Sequence, residues 1–421
     1  MTVRDNICKA ALRYVWIWVA CVTLALVSCT KDSIKDYAET GVTLYPAIAG
    51  SIETVIDTRA AFPVQGTTNR YDDALITEGS VFRVYAVPTE QDKQDFSAGG
   101  SFRYSNGSWR SSVTVENGLN YNIYAFTPVT LPGAISQTFS NGISQVDEHH
   151  VFNSNSVEVT FTGLDLITTT DPMVCVAAAG RPATLNSDGQ EIDAQNQVID
   201  VVVPTVTKGN FNIGEVNANP DENKFHKVWL AMDHLYAKVT VSFCIDAEYH
   251  LTRDIRIKEA RIMVSNGSLS GNHTYSFANG LSFDSNASYS SKELAIDLLT
   301  GPTANENRDP QKDYATLTEE YKEYAWFCFL PQSYLPDLEG YPMAQLEVTY
   351  DVYDRSDHVV RLNQTASNSF PLTRFKRTDD ALITPGAADH FKVKVKVKPT
   401  YMYQLIDDDA DITLEIINDT D

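Results

Sequence analysis

Short stretches in which apolar and polar residues alternate recur through most of the chain. In "SVFRVYAVP", residues 80–88, Val81, Arg83 and Tyr85 fall on one face and Phe82 and Val84 on the other. "SVEVTF", "YAKVTVSF", "IRIKEARIMV" and "AQLEVTYDVY" follow the same rhythm, and "VIDVVVP" runs continuously apolar. Side chains alternate across a strand with period two, so these runs predict strands with one or both faces buried. Their β-branched and aromatic residues suit a pleated surface. In "HFKVKVKVKP", Val393, Val395 and Val397 point one way and Lys392, Lys394, Lys396 and Lys398 the other. That is a strand with a buried face and a wet face, and a lysine row also protects a sheet edge from unwanted pairing. Pro399 then breaks the ladder.

Turn signals separate the runs. Asn-Gly occurs five times, beginning at Asn106, Asn117, Asn141, Asn266 and Asn279. "FRYSNGSWR" matches a hairpin with a two-residue loop, because Asn and Gly tolerate the positive φ that such a turn requires. No long segment carries a helical pattern; "DYATLTEEYKEY", residues 313–324, is predicted to hold one short helix. Strands spaced by turns, without interleaved helices, argue for β-sandwiches over a parallel α/β sheet. The polar, proline-containing "NANPDENK", residues 217–224, marks a domain boundary. "TGPTANENRDPQKD", residues 300–313, reads as a large insertion loop in the second half.

The first residues differ in kind. Arg4, Lys9 and Arg13 precede an almost wholly apolar run from Tyr14 to Ser28. That order is the order of a secretory signal, and the run is short for a membrane span of about 20 apolar residues. It ends Leu26-Val27-Ser28-Cys29, which resembles the bacterial lipobox. The resemblance implies cleavage by signal peptidase II between Ser28 and Cys29 and a lipid on Cys29; a plain secretion signal or an uncleaved anchor is the alternative. Stable anchoring takes more than one acyl chain, at about 0.8 kcal/mol per buried CH₂. Lys31-Asp32 also looks like the export signal of Bacteroidetes surface lipoproteins. Losing residues 1–28 takes the formal net charge from −22 to −24. A chain so acidic repels phosphates, which argues against nucleic acid as a partner.

Candidate chemistry is sparse. Of the cysteines, Cys175, Cys244 and Cys328 lie inside apolar runs, the setting of buried thiols rather than of disulfides or zinc. "DEHH", Asp147 to His150, lacks the H-E-x-x-H spacing of a zinc helix and reads as a solvated loop. "DDDAD", Asp407 to Asp411, begins like a calcium loop, but Ile412 stands where the turn needs Gly and Asn418 where a bidentate Glu is needed. His234 opens an apolar strand and reads as a structural histidine. Phosphate-binding loops and nucleophile elbows are absent. The expectation is a protein that is not an enzyme and has no cofactor and no metal.

Several features in order resemble the fimbrillin family, the pilus subunits of Bacteroidales and their relatives. They are the lipoprotein start, "DTRAAF" (57–62), "YNIYAFTPV" (121–129) and "DHLYAKVTVSF" (233–243). The resemblance implies an all-β chain of two tandem transthyretin-like β-sandwich domains. The expected division is 1–28 signal peptide, 29–60 lipidated segment with the first strand, 61–222 and 223–398 the two sandwiches, and 399–421 a C-terminal hairpin or donor segment. It implies a mechanism too. A first strand in residues 41–56, with Val42, Leu44 and Ile48 on one face, fills a groove in the first domain. A protease cuts at Arg59-Ala60 and frees it. The next subunit then donates its C-terminal segment, with Tyr401, Tyr403, Leu405, Ile412, Leu414 and Ile416 as the donor residues. Such β-strand addition gains affinity from backbone hydrogen bonds and register from alternate side chains, and head-to-tail transfer builds a filament. For Arg59 the alternative is an ordinary loop arginine, with Arg70 and Arg110 nearby. For the C-terminal segment it is a hairpin that completes the second sandwich.

The implied partners are other pilus subunits, the outer membrane through the lipid, and a host or bacterial surface ligand. The implied location is the cell surface and, after processing, the fimbrium. The competing reading is a surface glycan-binding lipoprotein. Of the tryptophans beyond the signal, Trp109, Trp229 and Trp326, two sit in apolar runs that look like core, but tyrosines are plentiful and keep this reading open.

Overall fold

The computed structural model describes residues 41–46, 79–296, 315–399 and 412–419, apart from short breaks. It is all-β. The alternating runs become the strands Val81–Pro88, His149–Thr162, Ala237–Ile245, Arg253–Ser270, Met343–Asp354 and His390–Pro399. "VIDVVVP" lies largely outside the described residues; Val198 in it forms an isolated bridge with Ile192. Among the described residues, the α-helical element is the single turn Ala247–His250, capped by Asp246, whose carboxylate accepts from the N–H groups of Glu248 and Tyr249.

The first half builds a large sheet. In order across it lie Tyr45–Pro46, Lys224–His234, Met173–Thr184, Asn120–Thr127, Val81–Pro88, Ala98–Ser105 and Ser108–Ser111, with Asn212–Glu215 alongside Asn120–Thr127. One face carries Arg83, Tyr85, Tyr124 and Phe126. A smaller sheet, made from Ser136–Val146, His149–Thr162, Asn272–Ser276 and Gly280–Phe283, packs there through aromatic rings. Tyr85 stacks on Phe139 with ring centroids 3.8 Å apart, and Tyr124 meets Phe277 edge-on at 5.1 Å. Ring pairs in such geometry contribute about 0.5–1.5 kcal/mol beyond their buried area.

The second half is a sandwich. One sheet orders Ile167–Thr168, Lys322–Phe329, Ala237–Ile245, His390–Pro399 and Ile412–Asp419; the other orders Ser288–Ile296, Arg253–Ser270, Met343–Asp354 and Val359–Pro371. Val239, Val241, Phe243, Val393 and Val395 from the first, and Ile255, Ile262, Leu346 and Val348 from the second, are buried in the core. Phe375 stacks on Phe391 at 3.9 Å.

Strands cross between the halves. The expected boundary at residue 222 falls ahead of Lys224–His234, a strand that the first sheet retains through a long antiparallel ladder with Met173–Thr184. Conversely, Ile167–Thr168 joins the second sandwich opposite Phe329 and Cys328, and the hairpin Asn272–Phe283 extends out of it to pair with His149–Thr162. The polar loop read as a boundary is a hairpin turn instead, closed by the bridge Asn219 to Lys224.

Two further expectations need correction. Asn141-Gly142 and Asn266-Gly267 do not reverse the chain. They sit within the strands Ser136–Val146 and Arg253–Ser270, each at a shift of register. Gly142 has φ +71°, which a bulge uses as readily as a turn does. Asn106 does mark a two-residue hairpin loop, between the paired Ser105 and Ser108. Residues 313–324 hold no helix among the described residues. Ala315–Thr316 and the start of Lys322–Phe329 are strand, and the Leu317 N–H and Thr318 C=O are bonded to the backbone of Ile255 and Ile245. Tertiary pairing takes the groups that a helix turn would have used.

Tyr341 stitches the crossing together. Its buried hydroxyl donates toward the carbonyls of Leu330, at 2.9 Å, and Leu166, at 3.3 Å. Tyr341→Phe removes the donor and leaves buried acceptors less satisfied, a loss of about 1–2 kcal/mol. Urea unfolding followed by fluorescence and by circular dichroism should show that loss as a lower midpoint, with both probes still coincident because the halves share strands.

Candidate functional site

The segment expected to fill a groove, residues 41–56, is described from 41 to 46. Leu44 lies at its centre with 0% exposure, in the core cluster with Phe82, Phe102, Trp109 and Tyr121. Thr43 before it is exposed. On one side the Leu44 N–H donates to the Val113 carbonyl at 2.9 Å, and the hydroxyls of Thr43 and Thr114 stand 3.5 Å apart. On the other side Tyr45 and Pro46 pair in parallel with Lys227 and Val228. The short segment therefore spans from the chain just past the Ser108–Ser111 edge strand to the opposite edge strand, Lys224–His234. Burying the Leu44 side chain contributes about 1.5–3 kcal/mol.

Both walls are tightly built. On the Val113 side the chain approaches Ala98–Ser105 so closely that a Cβ on Gly100 would stand 2.8 Å from the Ser112 carbonyl oxygen and 2.9 Å from Val113 Cγ2. Glycine is what lets the backbones meet there. The Val113 N–H is held by the Ser111 hydroxyl at 3.0 Å. On the other wall, Lys227 is almost buried. Its Nζ lies 3.3 Å from Glu191 Oε2, and Arg181 Nη1 lies 2.5 Å from Glu191 Oε1. The Arg181 guanidinium is 5.3 Å from the ring centre of the buried Trp229 and the Lys227 ammonium 5.8 Å. Burial pushes the Glu191 carboxyl up. The hydrogen bonds and charges of Arg181 and Lys227 outweigh it and hold the group below its usual range. A buried carboxylate with two cations is satisfied only as a set, so the triad fixes the residue against which Tyr45 pairs.

The C-terminal segment is described in part. Ile412–Asp419 lies at the edge of its sheet and pairs antiparallel with His390–Pro399, placing Ile412, Leu414 and Ile416 opposite Pro399, Val397 and Val395. The strand thus completes the second sandwich as a hairpin in this state of the chain. Tyr401, Tyr403 and Leu405 lie outside the described residues, as do Ser28, Cys29, Arg59, Ala60 and the acidic run Asp407 to Asp411.

Cys175, Cys244 and Cys328 are buried free thiols, and burial pushes the Cys175 thiol up to about 12, which removes it from thiolate chemistry. His234 is buried with Nδ1 2.8 Å from Asp171, a structural pairing. In "DEHH", His150 pairs with Asp95, and Asp147 and Glu148 lie outside the described residues. Among the described residues, metal-capable side chains do not gather in groups of three. The alternation of the lysine row holds: Val393, Val395 and Val397 are buried and the lysines between them half-buried. Trp326 departs from the core reading. It is 41% exposed while Trp109 and Trp229 are buried, because it lies on the outward side of Lys322–Phe329. Sequence reasoning did not reach Glu191, Arg181 or Lys227, which come together from separate segments.

No protein-family model matches the chain, and no curated protein matches it. Solved structures do. A fimbrial protein from Bacteroides vulgatus is 11% identical, with a TM-score of 0.40 over 90% of this chain and 99% of that one. The fimbrial anchor protein Mfa2 from Porphyromonas gingivalis is 10% identical, with a TM-score of 0.25 over 90% and 96%. The tip fimbrial protein Mfa3 from the same organism, truncated at its C-terminus, is 10% identical, with a TM-score of 0.25 over 84% and 98%.

Proposed function

We propose that the chain is a structural subunit of a surface fimbria, made as a lipoprotein on Cys29 and polymerising by strand exchange. The observation that carries this reading is Leu44, fully buried in a short segment that makes backbone bonds to both walls of a slot in the first sheet. In the proposal, a cut at Arg59-Ala60 severs the segment from the body. The slot then presents an apolar hole and unpaired backbone groups, a state that favours any extended strand of matching pattern. The C-terminal strand of another subunit supplies one. Among the described residues it is an edge strand that pairs with His390–Pro399, and its apolar residues alternate in register with a valine row. Head-to-tail donation leaves one open slot and one free strand at the ends, so growth continues.

Assembly is the first test. Limited tryptic digestion should cut first at Arg59, and the cut chain should form ladders that survive mild detergent. Arg59→Ala should block cutting and ladders alike, and deletion of residues 401–421 should block ladders alone. Ladders from either variant, under conditions where the wild type needs the cut, would overturn the strand-exchange reading. Leu44→Asp should weaken the seating of the first segment by about 3 kcal/mol, through lost burial and an unpaired carboxylate. The uncut variant should then exchange labelled Tyr401–Asp421 peptide into the slot faster than wild type does.

The Glu191 triad predicts a pH dependence. A carboxyl held below its ordinary value in the folded state contributes stability at higher pH, and that contribution is lost as pH falls through the lowered value. Glu191→Gln should cost about 3 kcal/mol at neutral pH and flatten the fall of stability in acid. Urea midpoints measured from pH 7 to pH 3 check both the size and the sign.

A further inference from the structure

The Asn266-Gly267 bulge in Arg253–Ser270 builds one end of the second sandwich. The ladder with Ser288–Ile296 shifts register between Val264 and Ser268. Within that shift, a Cβ on Gly267 would stand 2.9 Å from Ile167 Cγ2 and 2.9 Å from Lys292 Cβ, so glycine lets these two side chains close in. The Gly267 carbonyl accepts from the Leu166 N–H at 3.0 Å. Beside it, Asp165 is anchored through both carboxylate oxygens. Its Oδ1 accepts from the Ser268 hydroxyl at 2.6 Å and from the Leu269 N–H at 3.3 Å, and its Oδ2 lies 2.6 Å from Lys292 Nζ.

Asp165, Ile167 and Lys292 line a cavity of about 340 Å³. It lies where Ile167–Thr168, the first strand of one sheet, comes beside Ser288–Ile296, the first strand of the other. Ile135 and Leu294 add to its apolar wall, and Thr168, Thr169 and Thr170 to its polar wall. The volume is at the small end of the about 300–1,000 Å³ of ligand pockets, which suits a ligand of a single ring.

The polar wall has unused capacity. Thr170 is 5% exposed, and its hydroxyl has no hydrogen-bond partner, although buried polar groups are nearly always paired. The Thr168 hydroxyl accepts from the Thr170 N–H at 2.9 Å and keeps its own proton to donate. Among the described residues the partner of the Lys292 ammonium is Asp165, which leaves N–H donors over. The three contacts on the Asp165 carboxylate leave it one acceptor site.

We propose that this cavity binds one neutral hexose residue. Adjacent ring hydroxyls need an acceptor next to a donor, and the Asp165–Lys292 pair offers both side by side at no net charge. One hydroxyl donates to the carboxylate and its neighbour accepts from the ammonium. Another sugar oxygen, seated against the threonine wall, takes the proton of Thr170. The aliphatic side chains face the C–H groups of the ring. An anionic ligand fits less well, because Asp165 stands beside the ammonium that it would approach. The site is formed in the single chain and does not rest on strand exchange.

Saturation-transfer NMR on the purified full chain tests it, with the methyl glycosides of glucose, galactose, mannose and fucose as probes. At least one should receive saturation, with the same affinity at low and high salt, because a neutral ligand has no ionic attraction to screen. Lys292→Met should weaken that glycoside about tenfold and Thr170→Val about threefold, the range of one lost hydrogen bond. Thr170→Val keeps the side-chain shape and removes an unsatisfied hydroxyl, so its melting temperature should equal or exceed that of the wild type; a merely structural hydroxyl would lower it. Lys93→Met, which breaks an ion pair with Asp92 outside the cavity, should leave binding unchanged. Saturation of none of the four glycosides, or undiminished binding in either cavity variant, would overturn the proposal. So would tighter binding of methyl glucuronoside than of methyl glucoside, which would assign Lys292 to a carboxylate instead. Where Lys292→Met melts early because Asp165 has lost its cation, Thr170→Val decides.

Discussion

A strand at the edge of a sheet has backbone donors and acceptors that need partners, and the architecture of this chain turns on how it meets that need. In the first sheet, a few residues around Leu44 reach both walls of a slot. Their backbone bonds and one buried leucine side chain do what a complete strand would do. Two features of the first half shape the walls that they meet: Gly100 allows the near wall to close in, and the Arg181–Glu191–Lys227 triad holds the far wall in place. The same need is met at the far end of the chain by Ile412–Asp419, which covers one edge of the second sandwich; among the described residues no strand lies beyond it in that sheet.

The two sandwiches are joined by exchanged strands rather than by a linker. Lys224–His234 stays with the first sheet although its sequence runs directly into the second half. The hairpin Asn272–Phe283 reaches back to the first half from the long Arg253–Ser270 strand. Tyr341, bonded to the carbonyls on both sides of this crossing, lies where a displacement of either half would be felt by the other.

The strands were legible because a period of two is a local property: Val81–Pro88 and His390–Pro399 are readable from their own residues. The bulges were not. Asn-Gly states that the backbone adopts positive φ, and whether that reverses the strand at Asn106 or only bends it at Asn141 and Asn266 depends on partners far away in sequence. The strand around Ala315 was hidden for the same reason. The candidate slot was half legible. The alternation around Leu44 could be read, whereas the triad on the far wall joins residues 181, 191 and 227 and leaves no trace in any one segment. Trp326 shows the limit from the other side: an apolar neighbourhood in sequence says little about which face of a strand a given residue occupies.

The two neighbours of the strand beside the valine row respond differently to a pull. Ala237–Ile245 and His390–Pro399 run parallel. Force applied at opposite ends of that pair loads all its rungs together, as in a lap joint. His390–Pro399 and Ile412–Asp419 form a hairpin whose open end, Lys392 opposite Asp419, lies nearest the chain terminus. Tension on the terminus parts that pair one rung at a time, like a zip. The molecule thus has a seam that opens from the end of the chain next to a joint that bears load along its length, and a tug on the last residues peels one strand while the body keeps its shape.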